Sequence, residues 1–552
     1  MENSIYVLEL PLKVEKWQED IMVKRFNLLR ILYNNILHKY ELRYNQLIKI
    51  KEYREAKTKL YNLDAKKEIK AKIKAIEKEL GKKNAINNEN YNLLINELKT
   101  ISCTLSENDK KTYKDIKSNL EKQFGFTEYG IYGKCNEGIG WNIAQYAKNC
   151  GINSTIIERM CKKNVWKSIE GFLFKGKKIH YKKYNEFNSL YGTNVSKVLT
   201  GISFDGKCVY WRKSGKKNNK GVYSDIVLPI NKTVNEYEAQ ALSNEIAYVG
   251  IIRKIIRGKN KFYAQITLKG CLPSKIDKST NLFRKPAIGR VGLDIGTSTL
   301  AIASNSKVEL LELADKAQPN ENKIKIIQRK IDRSIRKNNP NKFNENGTIN
   351  ISNKNKWVIS KNCQKLKLKL KEMYRKLSVI RKLQHEELAN HIISLGNECY
   401  IETMRWKGLQ KRSQNDDINN NGKPKKKKRF GKSISNRAPS QLTTILSNKL
   451  NNYGYKLYLI DTTKCRASQY NHITKEYNKK SLNERWNIMP NGDKIQRDLY
   501  SAFLIQNIND TLDGFNEKLL NDNYDNFKVM HNKEIERLRL IPKKKLSSMG
   551  IK

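Results

Sequence analysis

A chain of 552 residues exceeds what one hydrophobic core sustains, since single cores stop growing near about 250 to 300 residues, so several domains are expected. Its 108 Lys and Arg against 55 Asp and Glu leave a net charge of +53, a self-repulsion that polyanions would neutralise, which points to nucleic acid as the partner. No run of about 18 apolar residues and no charged-then-apolar leader occurs, which excludes a membrane-spanning helix and leads to the expectation of a soluble, cytoplasmic protein.

Residues 5 to 12, IYVLELPL, read as a short strand closed by Pro11, and from about Glu15 a helical region runs with few breakers toward residue 125. Within it Ile69, Ile73, Ile76 and Leu80 recur at helical spacing on a charged background, the mark of an amphipathic helix with a solvated basic face. Residues 125 to 195 carry more Gly and aromatics, as in FGFTEYGIYGKCNEGIGWN, and read as a turn followed by further helices. From 198 to 273 the pattern is β: VLTGISFDGKCVYWRK, then AYVGIIRKIIRGKNKFYAQITLKG, whose arms flank the turn-like RGKNK. A small β-barrel is expected there, its Tyr and Trp residues between Lys and Arg either stacking on bases or, more often for aromatics in strands, filling core.

After the stretch RVGLDIGTSTLAIAS at 290 to 304 comes a second helical region, 320 to 395, with a Gly/Asn-rich interruption at 338 to 355. Leu366, Leu370, Met373, Leu377 and Ile380 repeat at four-three spacing and predict one packing seam. CYIETM at 399 to 404 reads as a strand. The basic loop NNNGKPKKKKRFGKS reads as a phosphate-contacting or disordered segment, although its PKKKKR mimics a nuclear-localisation signal. Residues 438 to 453, APSQLTTILSNKLNNY, form a helix leading into the strand YKLYLIDT; after a polar, irregular stretch at 464 to 493 the helix QRDLYSAFLIQNIND begins. The tail beyond about 515 reads as helical or loose, without a chemical signal. Nine cysteines are scattered with no C-x-x-C pair, so reduced thiols are expected rather than a disulfide framework or an ordinary zinc knuckle.

Three acids stand out. An ionised carboxylate on an apolar strand costs several kcal/mol of desolvation unless it is paired, protonated or bound to a metal, so Asp294 inside VGLDIG asks for a cation. Glu402 in YIETM is a second strand acid. Asp498 opens a helix in which Ser501 and Ala502 permit close packing on a sheet while Leu499 and Phe503 fill space. Singly each has an ordinary reading: a turn former, a strand-end surface acid, a helix-start residue favoured by the dipole. Jointly they suit Mg²⁺, because phosphodiester chemistry needs several convergent carboxylates.

The order of a strand acid, a second strand acid and a helix acid resembles the RuvC-type nuclease of TnpB proteins and the compact type V CRISPR effectors. VGLDIGTSTLAIAS is similar to their first motif, YIETMRWKGLQKR to the second and QRDLYSAFLI to the third. The likeness is strong over about 290 to 304 and 395 to 510 and architectural over 1 to 285. It implies a multidomain α+β chain: the first strand of a wedge β-barrel at 1–14, an α-helical recognition lobe at 15–197, the OB-like β-barrel wedge domain at 198–285, an RNase H-like RuvC nuclease domain at 286–463 with a helical insertion at 320–395, a degenerate zinc-ribbon-equivalent insert at 464–493, and the last RuvC motif with the C-terminal tail at 494–552.

The function implied is RNA-guided DNA cleavage in a prokaryotic cytoplasm, at the nucleoid, with a guide RNA and target double-stranded DNA as partners. Asp294, Glu402 and Asp498 would hold two Mg²⁺ ions, with Arg497 either at the scissile phosphate or in a salt bridge within the fold. One departure concerns the four-cysteine zinc ribbon that such proteins carry before the third motif: here Cys465 and His472 are too few for a closed site, so structural zinc is not expected. Tyr470, Tyr477 and Trp486 are expected to form a small apolar staple instead. Rival readings are a nuclease-silent RNA-guided repressor, a transposon-encoded basic RNA- or DNA-binding protein, and a transposase. The presence of all three acids favours cleavage, and no separate signature for strand joining is found.

Overall fold

The computed structural model describes residues 5–80, 89–100, 107–128, 130, 147, 150–192, 201–212, 225–277, 281, 283–410, 430–479, 481, 484–542 and 547–551. Most of the Gly- and aromatic-rich stretch at 124 to 142 and the basic loop at 411 to 429 lie outside the described residues. Two compact units emerge, Glu2–Ile255 with Lys259–Gly270, and Cys271–Lys552 with Met1 and Ile256–Gly258. Among the described residues no helix is long and apolar enough to cross a membrane.

In the first unit β1 (Ile5–Pro11) alternates exposed and buried side chains, as a half-covered strand does. The helices α1 (Lys16–Leu47), α2 (Lys51–Leu80), α3 (Glu89–Thr100), α4 (Glu107–Gln123), α5 (Ser154–Met160) and α6 (Trp166–Lys175) follow. Ile69 and Ile73 are buried, and α2 packs against α3 and α4. The strands β2 (Ser189–Tyr191), β3 (Gly201–Phe204), β4 (Cys208–Arg212) and β5 (Asp225–Pro229) precede the short helix α7 (Glu236–Leu242) and the long hairpin of β6 (Ile246–Ile256) and β7 (Lys259–Lys269).

These strands do not close into the expected barrel. They form a four-stranded sheet in the order β1-β7-β6-β2 and a separate three-stranded meander β3-β4-β5, joined at one corner by the Leu12–Ile230 bridge. Pairing stops there for a local reason. Pro11 ends β1 and Pro229 ends β5, each has a carbonyl that accepts a bond (from Asn231 N–H at 2.7 Å and Lys13 N–H at 2.8 Å), and neither has an N–H to continue the ladder.

The second unit is built on a five-stranded sheet ordered β10-β9-β8-β11-β12, from β8 (Arg290–Ile295), β9 (Thr299–Ser304), β10 (Val308–Glu312), β11 (Glu398–Glu402) and β12 (Leu457–Ile460). The first three run antiparallel as a meander, and β11 and β12 add in parallel on the far side of β8. Parallel additions need crossovers. The first is α8 (Glu321–Asn338) with α9 (Lys361–Leu395), and the second includes α10 (Pro439–Asn452). Ala389, Ile392 and Ile393 of α9 and Leu442, Leu446 and Leu450 of α10 bury one sheet face together with Val291, Leu293, Cys399 and Ile401. Two small hairpins, β13 (Tyr470–Asn471) with β14 (Glu476–Tyr477) and β15 (Trp486–Ile488) with β16 (Lys494–Gln496), lead into α11 (Arg497–Gln506), which covers the other face.

The seam expected on α9 is only half covered. Leu366, Leu370, Met373 and Leu377 are intermediate in exposure and Ile380 is 37% exposed, because α8 has 18 residues against the 35 of α9. The tail, by contrast, is structural: α12 (Glu517–Leu540) buries Leu520, Phe527, Ile535 and Leu538 in the core beneath α11, and its Glu534 accepts the Leu310 N–H at 2.9 Å.

Candidate active site

Strand register places the first two acids. Ile401 of β11 lies opposite Leu293 of β8 in a parallel pair, so the residues that follow, Glu402 and Asp294, stand side by side near the ends of adjoining strands. Alternation puts Gly292, Asp294, Tyr400 and Glu402 on one face, since Leu293 and Ile401 go to the core under α9 and α10. The N–H of Thr403 donates to the Ile460 carbonyl at 2.9 Å and holds the strand end just past Glu402.

Asp498 reaches the same face from α11. It sits in the first turn of that helix, capped by Gln496, whose side chain accepts the Leu499 N–H at 2.8 Å. Gly292 sets how close the helix comes: a Cβ there would lie 2.0 Å from the Ala502 carbonyl oxygen and 2.3 Å from the Gln506 nitrogen. Without a side chain at 292 the backbone of α11 rests directly on β8, and the fully buried Leu499 and Phe503 fix its rotation.

All three acids keep partial exposure, as ion-binding groups supplied from solvent must. Burial pushes the Asp294 carboxyl well above the usual range, and the charges of Asp498 and then Glu402 push further in the same direction against the opposing pull of Arg497 and Arg485. Burial likewise raises Glu402, partly offset by the Ala467 N–H. The acids thus act on one another through space. They are not drawn into a single coordination sphere, since no group of three or more His, Cys, Asp or Glu among the described residues is arranged to hold a metal ion. The repulsion that Asp498 and Glu402 exert on the buried Asp294, only partly offset by Arg497 and Arg485, nevertheless suits a divalent ion, which would relieve it.

Arg497 is tied into the fold. Its guanidinium donates to the carbonyls of Ser481 at 3.2 Å and Glu484 at 2.9 Å and to Asp498 Oδ1 at 3.4 Å. Arg497→Ala would leave two carbonyls and one acid short of donors, so it is expected to cost about 1–3 kcal/mol in urea unfolding. Arg497→Lys, a single flexible ammonium, should recover only part of that.

Sequence reasoning missed Arg485, whose guanidinium lies 3.8 Å from Asp498 Oδ1, and the Ala467 N–H at Glu402. Neither sits in a pattern that spacing could flag. In the same insert Cys465 and His472 have separate partners. The Cys465 thiol, pushed up to about 11 by burial and then by Glu402, donates to the Leu512 carbonyl at 3.5 Å. His472, pushed down to about 4 by burial, shares its Nδ1 with the Tyr500 hydroxyl at 2.7 Å. Tyr470 and Tyr477 pair across their hairpin with ring centroids 4.9 Å apart, and Tyr470 stacks on Phe515 at 4.7 Å. Trp486 stands apart from them, against His531, with its indole N–H on the Gly550 carbonyl at 2.8 Å.

No family model matches the chain, and no curated protein does. Solved structures similar to it include a Cas12f1–sgRNA–target DNA complex, 11% identical over 92% of this chain and 99% of that one, with a TM-score of 0.41. Another is a CRISPR–Cas12f ternary complex, 11% identical over 91% of this chain and 99% of that one, with a TM-score of 0.23.

Proposed function

We propose that the chain is an RNA-guided DNA endonuclease with an RNase H-like, RuvC-type site in which Asp294, Glu402 and Asp498 hold two Mg²⁺ ions. The observation that carries the reading is the gathering of these three acids, distant in sequence, at one end of a five-stranded sheet. Bound Mg²⁺ supplies an activated water and charge stabilisation for a leaving 3′ oxygen. The chain's own part is positional. β8 and β11 fix two carboxylates through a ladder, and α11 fixes the third through its packing on Gly292. Arg485 is the better placed cation for an incoming phosphate, because the donors of Arg497 are engaged. The guide RNA and duplex target follow from the motif resemblance and the +53 charge, with sequence read by base pairing.

The test is cleavage of a duplex matching whatever RNA co-purifies with the full chain. Cutting is expected in Mg²⁺, none in excess chelator, and recovery when Mg²⁺ is restored. Equal cutting by wild type and Asp294→Ala would defeat the proposal. Tight target binding with no cutting by wild type would instead favour the repressor reading.

A further inference from the structure

We infer that Tyr458 is a stacking platform for a base of the single strand presented to the carboxylates, an assignment that rests on the nuclease reading for the identity of that strand. β12 is the outermost strand of the sheet, and Tyr458 pairs in register with Tyr400. Their rings stack with centroids 4.9 Å apart and planes 19° apart. From the strand on the other side of Tyr400, Arg290 places its guanidinium 4.6 Å from the Tyr400 ring centre and donates to its hydroxyl at 2.9 Å. The result is a column running across three strands from Arg290 through Tyr400 to Tyr458. Among the described residues no strand pairs with the outer edge of β12, and the column ends in a partly open ring: Tyr400 is 5% exposed and Tyr458 37%.

Core packing does not account for that end. The stacked ring of Tyr400 already satisfies the inner side, and α11 lies chiefly over β8 and β9 rather than over the edge. The location suits a substrate. Tyr458 is on the face that carries Glu402, two residues before Ile460, the register partner of Glu402, hence about 6.6 Å back along the strand. Lys456 precedes the strand, Asp461 follows it and Lys464 stands in the next turn, on a chain of net charge +53, so it is the charge of the chain as a whole that favours a polyanion over an apolar peptide. A nucleobase offers what the column lacks, a flat partner of any sequence with a phosphate chain beside it.

The full-length chain, wild type and Tyr458→Ala, is to be titrated in chelator with a single-stranded DNA oligonucleotide carrying one 2-aminopurine, at high salt so that phosphate contacts contribute less. Loss of one stacked base predicts binding about 5- to 140-fold weaker for Tyr458→Ala. Tyr458→Phe and Tyr458→Trp should bind as wild type does, with the 2-aminopurine quenching retained in both and lost in Tyr458→Ala. Unchanged affinity and quenching in Tyr458→Ala would overturn the inference, as would weakened binding in Tyr458→Phe equal to that in Tyr458→Ala. Because no cleavage is required, this outcome is separate from the nuclease reading, which fails if wild type does not cut in Mg²⁺ or if Asp294→Ala cuts equally well.

Discussion

Asp294→Asn is expected to reduce DNA cleavage by at least about 100-fold and, in the same preparation, to raise the melting temperature of the metal-free protein. The first effect follows from ligand loss. Removing groups that merely orient a metal ligand costs about 10–100-fold, so removing a ligand itself should cost no less than the upper end. The second follows from electrostatics: Asp294 is raised by burial and by its acidic neighbours, so its ionised form opposes folding when no cation is bound.

The sign of the pH dependence is fixed by the same shift. A carboxyl whose folded pKa exceeds its unfolded value of about 3.9 favours the fold fully below that value and loses the contribution as pH rises through the folded pKa. In chelator, the melting-temperature advantage of Asp294→Asn should therefore be widest at neutral pH and close on acidification. Added Mg²⁺ should stabilise wild type and leave the variant little changed, which reverses their order. Differential scanning fluorimetry over pH, with and without Mg²⁺, reads all three. A variant less stable than wild type in chelator would mean that Asp294 is a structural acid, not an ion-binding one.

How far the site was legible from sequence depended on what each residue paid in solvation. Asp294 and Glu402 stood out because an acid in an apolar strand is costly, and the cost marks it without any knowledge of the fold. Asp498 was legible only as the third member of an ordered set. The sheet that joins them could be anticipated strand by strand, yet not the reason α11 comes so close, since Gly292 reads as one more small residue until the Ala502 carbonyl is seen above it. The β-barrel failed for the opposite reason. Strand content was plain, but closure depended on whether Pro11 and Pro229 would meet at the same corner, a long-range coincidence that periodicity does not encode. The α12 tail carried no motif, and its role in the core came from burial of Phe527 and Leu538 at ordinary helical spacing. Tyr458 likewise reads as a strand aromatic; only its place at the sheet edge leaves its ring open.

Gly292→Ala is expected to be nearly as damaging as loss of a carboxylate, although it adds a single methyl group. The new Cβ would meet two backbone atoms of α11, at 2.0 Å and 2.3 Å, and backbone cannot rotate aside as a side-chain end does. Relief requires lifting the helix by more than about 1 Å, given ordinary carbon contacts of about 3.5 Å. Overpacking of this kind costs about 1–3 kcal/mol, and contact with rigid backbone argues for the upper end. Because Asp498 rides on the first turn of α11, the same displacement moves one carboxylate relative to the two held by β8 and β11. A 1 Å misplacement of a catalytic group can cost about 100-fold in rate, so cleavage should fall by that order even well below the melting temperature. Gly408→Ala is the control: its added Cβ meets nothing nearer than 3.9 Å, and both stability and cleavage should stay near wild type. Single-turnover cleavage and urea unfolding of the two variants decide the matter. If Gly292→Ala cuts at the wild-type rate, the height of α11 above β8 does not set the geometry of the three acids, and Asp498 must reach its place by other means.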